Sequence, residues 1–164
     1  MKLIFVRHGQ AAPYCDDDAG RDLTDFGRMQ AGQSADAMVA EHQLDLIIAS
    51  PYNRADQTAK ILAKTATDAG QSPAFVTLSS ITPDDDPTIG LDDIDRIIQD
   101  KFGEQTDDKC IAIVCHMPIV AYLVTKLDGL SPASFELAEY RVLTTPVIAD
   151  GLAHCVASFV PDQP

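Results

Sequence analysis

This 164-residue chain lacks paired cysteines, long apolar runs and an excess of positive charge. Its four cysteines, Cys15, Cys110, Cys115 and Cys155, form no Cys-x-x-Cys pair and have no zinc-like spacing. Cys110, Cys115 and Cys155 lie in apolar stretches, where a reduced, buried thiol is expected. No apolar run approaches the ~20 residues a membrane helix needs. Met1-Lys2 leads straight into a strand-like segment, without a secretory signal region. A cytoplasmic location with no membrane partner is therefore expected. Lys and Arg number 12 against 25 Asp and Glu, a net charge of −13. That field opposes binding nucleic acid or an anionic bilayer through a broad surface. It leaves room for a small anionic group, because a few converging cations override the average field locally.

What is present fits one globular domain over residues 1–164: 46% hydrophobic and 23% charged residues, enough length for a full core. Leu3–Val6 reads as a strand buried on both faces, followed at once by Arg7, His8 and Gly9. In a parallel sheet the carboxyl ends of the strands open into the crevice where ligands bind, so Arg7 and His8 are expected at its mouth, with Gly9 letting the backbone turn. Ala11–Arg21, containing Asp16-Asp17-Asp18, reads as a solvated turn. Thr24 is placed to cap a helix whose buried face is expected to carry Phe26, Met29, Met38 and Val39. His42, at its end, reads as a surface residue.

Leu44–Ala49 is a second strand, and Ser50-Pro51 reads as the cap and first position of a helix buried along Ala55, Ala59, Leu62 and Ala66. Arg54 falls in the first turn, where a cation opposes the helix dipole unless an anion sits nearby. Ala74–Leu78 is a third strand. Ser79–Pro87 is a loop with Asp84-Asp85-Asp86, and Leu91, Ile94, Ile98 and Phe102 mark a third helix. Cys110–Cys115 is the most apolar strand; His116 follows it as His8 follows the first, and Met117-Pro118 starts a fourth helix. Two final runs, Tyr140–Ala149 and Leu152–Val160, flank Asp150-Gly151, a two-residue hairpin signal, with Pro146 at an edge or bulge and His154 structural.

Strand–helix alternation with a terminal hairpin implies a three-layer α/β/α sandwich, its central sheet mostly parallel with a C-terminal antiparallel hairpin. Three strand ends then deliver Arg7-His8, Arg54 and His116. Guanidiniums bind phosphate oxygens through forked donors, and an imidazole serves as nucleophile or donor. With no carboxylate cluster of Mg²⁺ spacing and no Walker loop, the constellation suits phosphoryl transfer with no metal or other cofactor.

Arg7-His8-Gly9, Leu23-Thr24-x-x-Gly27, Ser50-Pro51-x-x-Arg54-Ala55-x-x-Thr58-Ala59 and His116-x-Pro118 resemble, in this order, the pattern of the histidine phosphatase superfamily. The short chain, Leu44–Thr58, Ile81-Thr82-Pro83 and the run from His116 to Val124 are similar to its SixA-type phosphohistidine phosphatases. The resemblance implies that His8 takes the phosphoryl group. It also implies that Arg7, Arg54 and His116 hold the phosphoryl oxygens, with Gly9 beside them, and that water then hydrolyses the intermediate. The implied partner is a phosphohistidine-bearing protein of phosphorelay or phosphocarrier type, met by a monomer. Two departures stand out. Cys115 precedes His116 where many relatives have glycine or serine. No glutamate lies between Glu41 and Glu104, where many relatives carry a general acid after the third strand; Asp84, Asp85 or Asp86 is the local alternative. The rival expectations are a phosphatase or mutase of small phosphate esters and a non-catalytic module that binds phosphoproteins.

Overall fold

The computed structural model describes every residue from Met1 to Pro164. Ten elements alternate along the chain: β1 (Lys2–Arg7), α1 (Asp25–Glu41), β2 (Leu46–Ala49), α2 (Asn53–Asp68), β3 (Ala74–Thr77), α3 (Pro87–Phe102), β4 (Cys110–Cys115), α4 (Ile119–Asp128), β5 (Tyr140–Thr144) and β6 (His154–Phe159). The strands form one sheet in the order β3-β2-β4-β1-β5-β6, parallel from β3 to β1 and antiparallel through β5 and β6. Successive strand residues face opposite sides, so unbroken apolar runs feed two cores. Leu3, Phe5, Ile111 and Ile113 pack with Leu91, Ile94 and Leu123 of α3 and α4. Ile4, Val6, Ala112 and Val114 pack with Met38, Ala55 and Leu62 of α1 and α2. This is the expected α/β/α sandwich. Full burial of each Leu, Ile, Val, Phe or Met among these side chains contributes about 1.5–3 kcal/mol.

Caps and faces follow the sequence in most places. The Thr24 hydroxyl accepts from Gly27 N at 3.0 Å, and Asp86 caps α3 ahead of Pro87. The buried face of α1 differs from expectation: it carries Gly27, Gln30, Ala31, Ser34, Ala35 and Met38, while Met29 is exposed. Polar side chains are tolerated there because backbone groups satisfy them. Gln30 accepts from Gln10 N at 2.9 Å, and Ser34 donates to Ala138 O at 2.6 Å. His42, at the end of α1, is half-buried rather than on the surface.

The terminal pair is antiparallel as expected, but Asp150-Gly151 is not a two-residue turn. β5 stops at Thr144 and β6 starts at His154. The intervening loop instead docks on the end of α4, where Gly151 N and Ala153 N donate to Lys126 O and Leu127 O, helix carbonyls that would otherwise lack partners. Pro146 lies beyond the strand, and the irregularity of β5 falls between Val142 and Leu143. As the outer strand, β6 is largely exposed, so Cys155 is an exposed thiol and not a buried one, whereas Cys110 and Cys115 are buried.

Candidate active site

Parallel register builds the site. Arg7 of β1 pairs with Cys115 of β4, so both strands end together, and His8 N donates to Cys115 O at 3.1 Å. The next residues along, His8 and His116, therefore stand side by side, ring centroids 5.1 Å apart in an edge-on arrangement. β2 ends beside β4, with Ala49 opposite Val114, and the chain passes from there into α2. From the first turn of α2, Arg54 reaches His8: its Nε donates to His8 Nε2 at 3.2 Å. Arg7, His8, Arg54 and His116, some 110 residues apart at the extremes of the sequence, thus meet at one end of the sheet.

The hydrogen bonds fix the tautomer of His8. Its Nδ1 lies 2.7 Å from Gly9 O, and a carbonyl oxygen only accepts, so Nδ1 carries the proton and Nε2 the lone pair. Burial, helped by the charges of Arg54 and Arg7, pushes His8 down to about 3. Burial and the neighbouring His8 push His116 down to about 2. Both rings are neutral at neutral pH. Beside them Arg7 donates to Phe135 O at 2.6 Å, while its buried Nε has no partner. Arg7, His8 and Arg54 open on a cavity of about 440 Å³, which Arg21, Asp18 and Asp84 also line. His116 is fully buried and does not itself line the cavity; Met117 and Pro118, which follow it, do.

The expected solvated turn is part of this site. Asp18 accepts from Arg54 through its backbone oxygen at 2.7 Å and through Oδ2 at 3.1 Å. It also accepts from Arg21 Nε at 2.8 Å. Burial alone would raise the Asp18 carboxyl, but the hydrogen bonds from Arg21 and Arg54 hold it below the ordinary range. Asp18 is the anion that the position of Arg54 at a helix start called for. Nothing local in Asp16-Asp17-Asp18 marks the third aspartate, and Arg54 was the only available signal.

Gly9 and Gly27 have one shared reason. A Cβ on Gly9 would overlap the Gly27 carbonyl oxygen, and a Cβ on Gly27 would overlap the carbonyl oxygen of Gln10. The two glycines let the loop after β1 lie directly on the first turn of α1. Close approach, not a turn, is what Gly9 supplies. Its N–H is already given to Thr58 Oγ1 at 3.2 Å, which leaves no donor there for a ligand.

Among the three loop aspartates, Asp85 accepts from Thr82 N and Oγ1 at 2.6 Å, and Asp86 caps α3. Asp84 alone is left exposed on the cavity wall. Ser50 is not the helix cap expected for it. α2 begins at Asn53 after Tyr52, and the Ser50 hydroxyl instead lies 2.7 Å from His116 Nε2. No three His, Cys, Asp or Glu side chains converge as metal ligands would.

Comparison with known proteins places this geometry. The family description "Histidine phosphatase superfamily (branch 1)" matches residues 3–75. A phosphohistidine phosphatase SixA homolog of Haemophilus influenzae is 30% identical over 143 residues, covering 82% of each chain. The solved structure of the protein histidine phosphatase SixA complexed with tungstate superposes with a TM-score of 0.81 at 22% identity, covering 98% of this chain and 97% of that one. A mycobacterial glucosyl-3-phosphoglycerate phosphatase superposes at 0.71 and 14% identity, covering 94% of this chain and 96% of that one. The same fold therefore serves a protein phosphatase and a sugar-ester phosphatase, and cannot by itself choose between them.

Proposed function

The chain belongs to the histidine phosphatase superfamily, SixA-like within it, and from that premise we propose that it hydrolyses phosphohistidine in a partner protein. Residues 1–164 act as one such domain, without a metal. The observation that carries the reading is the orientation of His8: Nδ1–H is tied to Gly9 O, and the lone pair on Nε2 lies next to Arg54.

In the proposed reaction the Arg54 guanidinium gives up its bond to His8 Nε2 and turns to the incoming phosphoryl group. Nε2 then forms a bond to phosphorus as the bond from phosphorus to the substrate imidazole breaks. Arg7, Arg54 and His116 hold the three phosphoryl oxygens, whose charge spreads in the transition state. Solvent protonates the other nitrogen of the phosphorylated substrate ring, so the ring departs as neutral imidazole, the departing nitrogen keeping the electron pair of the broken P–N bond. Water next attacks phosphorus, releasing phosphate and restoring the Nε2 lone pair.

The leaving group distinguishes phosphohistidine from small phosphate esters. Expelling an alkoxide needs a positioned acid, which contributes about 10²–10⁴-fold. Imidazole leaves readily, because its conjugate acid titrates near pH 6.5. Of the local acids, Asp85 and Asp86 are engaged in holding their loop, and Asp84 is exposed, held by no hydrogen bond. That supports phosphohistidine over sugar phosphates. The test is kcat/KM at neutral pH on a phosphohistidine protein, phosphoserine and a hexose phosphate. The first should exceed the others by at least ~10²-fold, the lower end of the acid contribution. His8→Ala should abolish turnover and the acid-labile phosphoenzyme. Equal turnover of the alkyl esters would overturn the substrate assignment and point to Asp84 as acid; a tenth of the activity surviving in His8→Ala would overturn the nucleophile.

A further inference from the structure

Ser50 is fully buried, the residue just past the end of β2, and its N–H donates to Val114 O at 3.0 Å. It takes no part in capping α2. Its Oγ has two neighbours: Tyr52 N, which donates to it at 3.5 Å, and His116 Nε2 at 2.7 Å. The other ring nitrogen of His116, Nδ1, is buried with no partner. The Tyr52 ring packs edge-on to the imidazole, centroids 5.3 Å apart, on a ring that His8 also flanks edge-on. His116 is thus held in place while half of its hydrogen-bonding capacity is unused.

Only one distribution of protons leaves a single group unspent. A neutral imidazole has one N–H and one lone pair. If Nε2 carried the proton, it would donate to Ser50 Oγ. The hydroxyl proton would then have no acceptor, and a bare Nδ1 lone pair would repel any phosphoryl oxygen brought beside it. If instead the Ser50 hydroxyl donates to Nε2, Tyr52 N, Ser50 and Nε2 are all satisfied. The single unspent group is then an Nδ1–H donor, buried next to His8. A buried donor without a partner is costly, and is retained where a ligand completes it.

We propose that Ser50 is a positioning residue for phosphoryl transfer: by donating to His116 Nε2 it keeps the proton on Nδ1, where it meets a phosphoryl oxygen carried by His8. This rests on the reading that His116 contacts the phosphoryl group, and goes beyond it in assigning what makes His116 a donor at neutral pH without a positive charge. Burial, which keeps the ring neutral, makes the choice of tautomer decisive. An imidazolium would donate from both nitrogens whatever Ser50 did.

The experiment uses the full chain and an activated aryl phosphate, with orthovanadate as probe, so that it is independent of whether the natural substrate is phosphohistidine. Two-bond ¹H–¹⁵N spectra of the histidine rings report the tautomer directly. Wild type should show His116 protonated at Nδ1, and vanadate should shift that nitrogen. Ser50→Ala should populate the other tautomer and lower kcat about tenfold with KM little changed, the size of one lost hydrogen bond. Adding Ser50→Ala to His116→Ala should cost nothing more, because the serine acts through the imidazole. An Nε2-protonated His116 in the wild type overturns the proposal without reference to any variant. So does full activity in Ser50→Ala, or a further loss when the two substitutions are combined. Failure of the phosphohistidine preference alone leaves these results unchanged.

Discussion

Mild acid should destabilise this protein through the two histidines at the sheet end. His8 is held down to about 3 and His116 to about 2, chiefly by burial. In the unfolded chain each takes up its proton near pH 6.5. Below about 6.5 the unfolded state therefore binds more protons than the native state, and stability falls as pH falls. From roughly pH 6.5 to 4.5 both rings stay neutral in the folded protein, and each lowers the unfolding free energy by about 2 kcal/mol. Together that is about 4–5 kcal/mol, a large share of the ~5–15 kcal/mol of an ordinary domain. Carboxylates held low by partners, Asp18 among them, add their own loss only nearer pH 4 and below, so the window is set by histidine. Urea unfolding at about pH 7, 5.5 and 4.5 measures the effect, with His8→Asn/His116→Asn as control. The half-buried His42, also lowered by burial, remains in both proteins, so the difference between them isolates the active-site pair. The wild type should lose stability steeply over this interval and the control only slightly. A wild-type stability constant to within ~1 kcal/mol, or equal slopes in both proteins, would refute the account.

Chelation with EDTA should leave activity unchanged, because Arg7, Arg54 and the histidines supply the electrostatic stabilisation a metal would bring; activity restored to a chelated sample only by Mg²⁺ or Zn²⁺ contradicts this. Gly27→Ala should destabilise by at least ~2 kcal/mol, since the new methyl meets backbone oxygen that cannot move aside, and thermal melting measures it. A melting temperature within a degree or so of wild type would show that the contact relaxes freely. Asp18→Asn should tighten inhibition by vanadate about tenfold, because the carboxylate competes with an incoming anion for Arg54 and Arg21. Weaker inhibition would make Asp18 a support for the arginines rather than their competitor.

Much of the fold was legible because its signals are local. A strand buried on both faces must be continuously apolar, as Leu3–Val6 and Cys110–Cys115 are, and the amphipathic spacing of α3 and α4 is set by one solvent-facing side. The candidate residues Arg7, His8, Arg54 and His116 were visible for the same reason, since each lies at or shortly after the end of a strand and parallel strands end at one crevice. What stayed hidden depends on partners distant in sequence. The polar buried face of α1 is satisfied by the backbones of Gln10 and Ala138. The loop before β6 follows carbonyls at the end of α4 rather than its own Asp150-Gly151 signal. Asp18 is defined by Arg54 and Arg21, Gly9 by the backbone of Gly27, and Ser50 by an imidazole 66 residues away. Periodicity and turn chemistry belong to neighbouring residues, so the sequence by itself determined the elements and the strand ends. A hydrogen bond or a close backbone contact needs two segments brought together, and only the tertiary structure decided which side chains there hold the others in place.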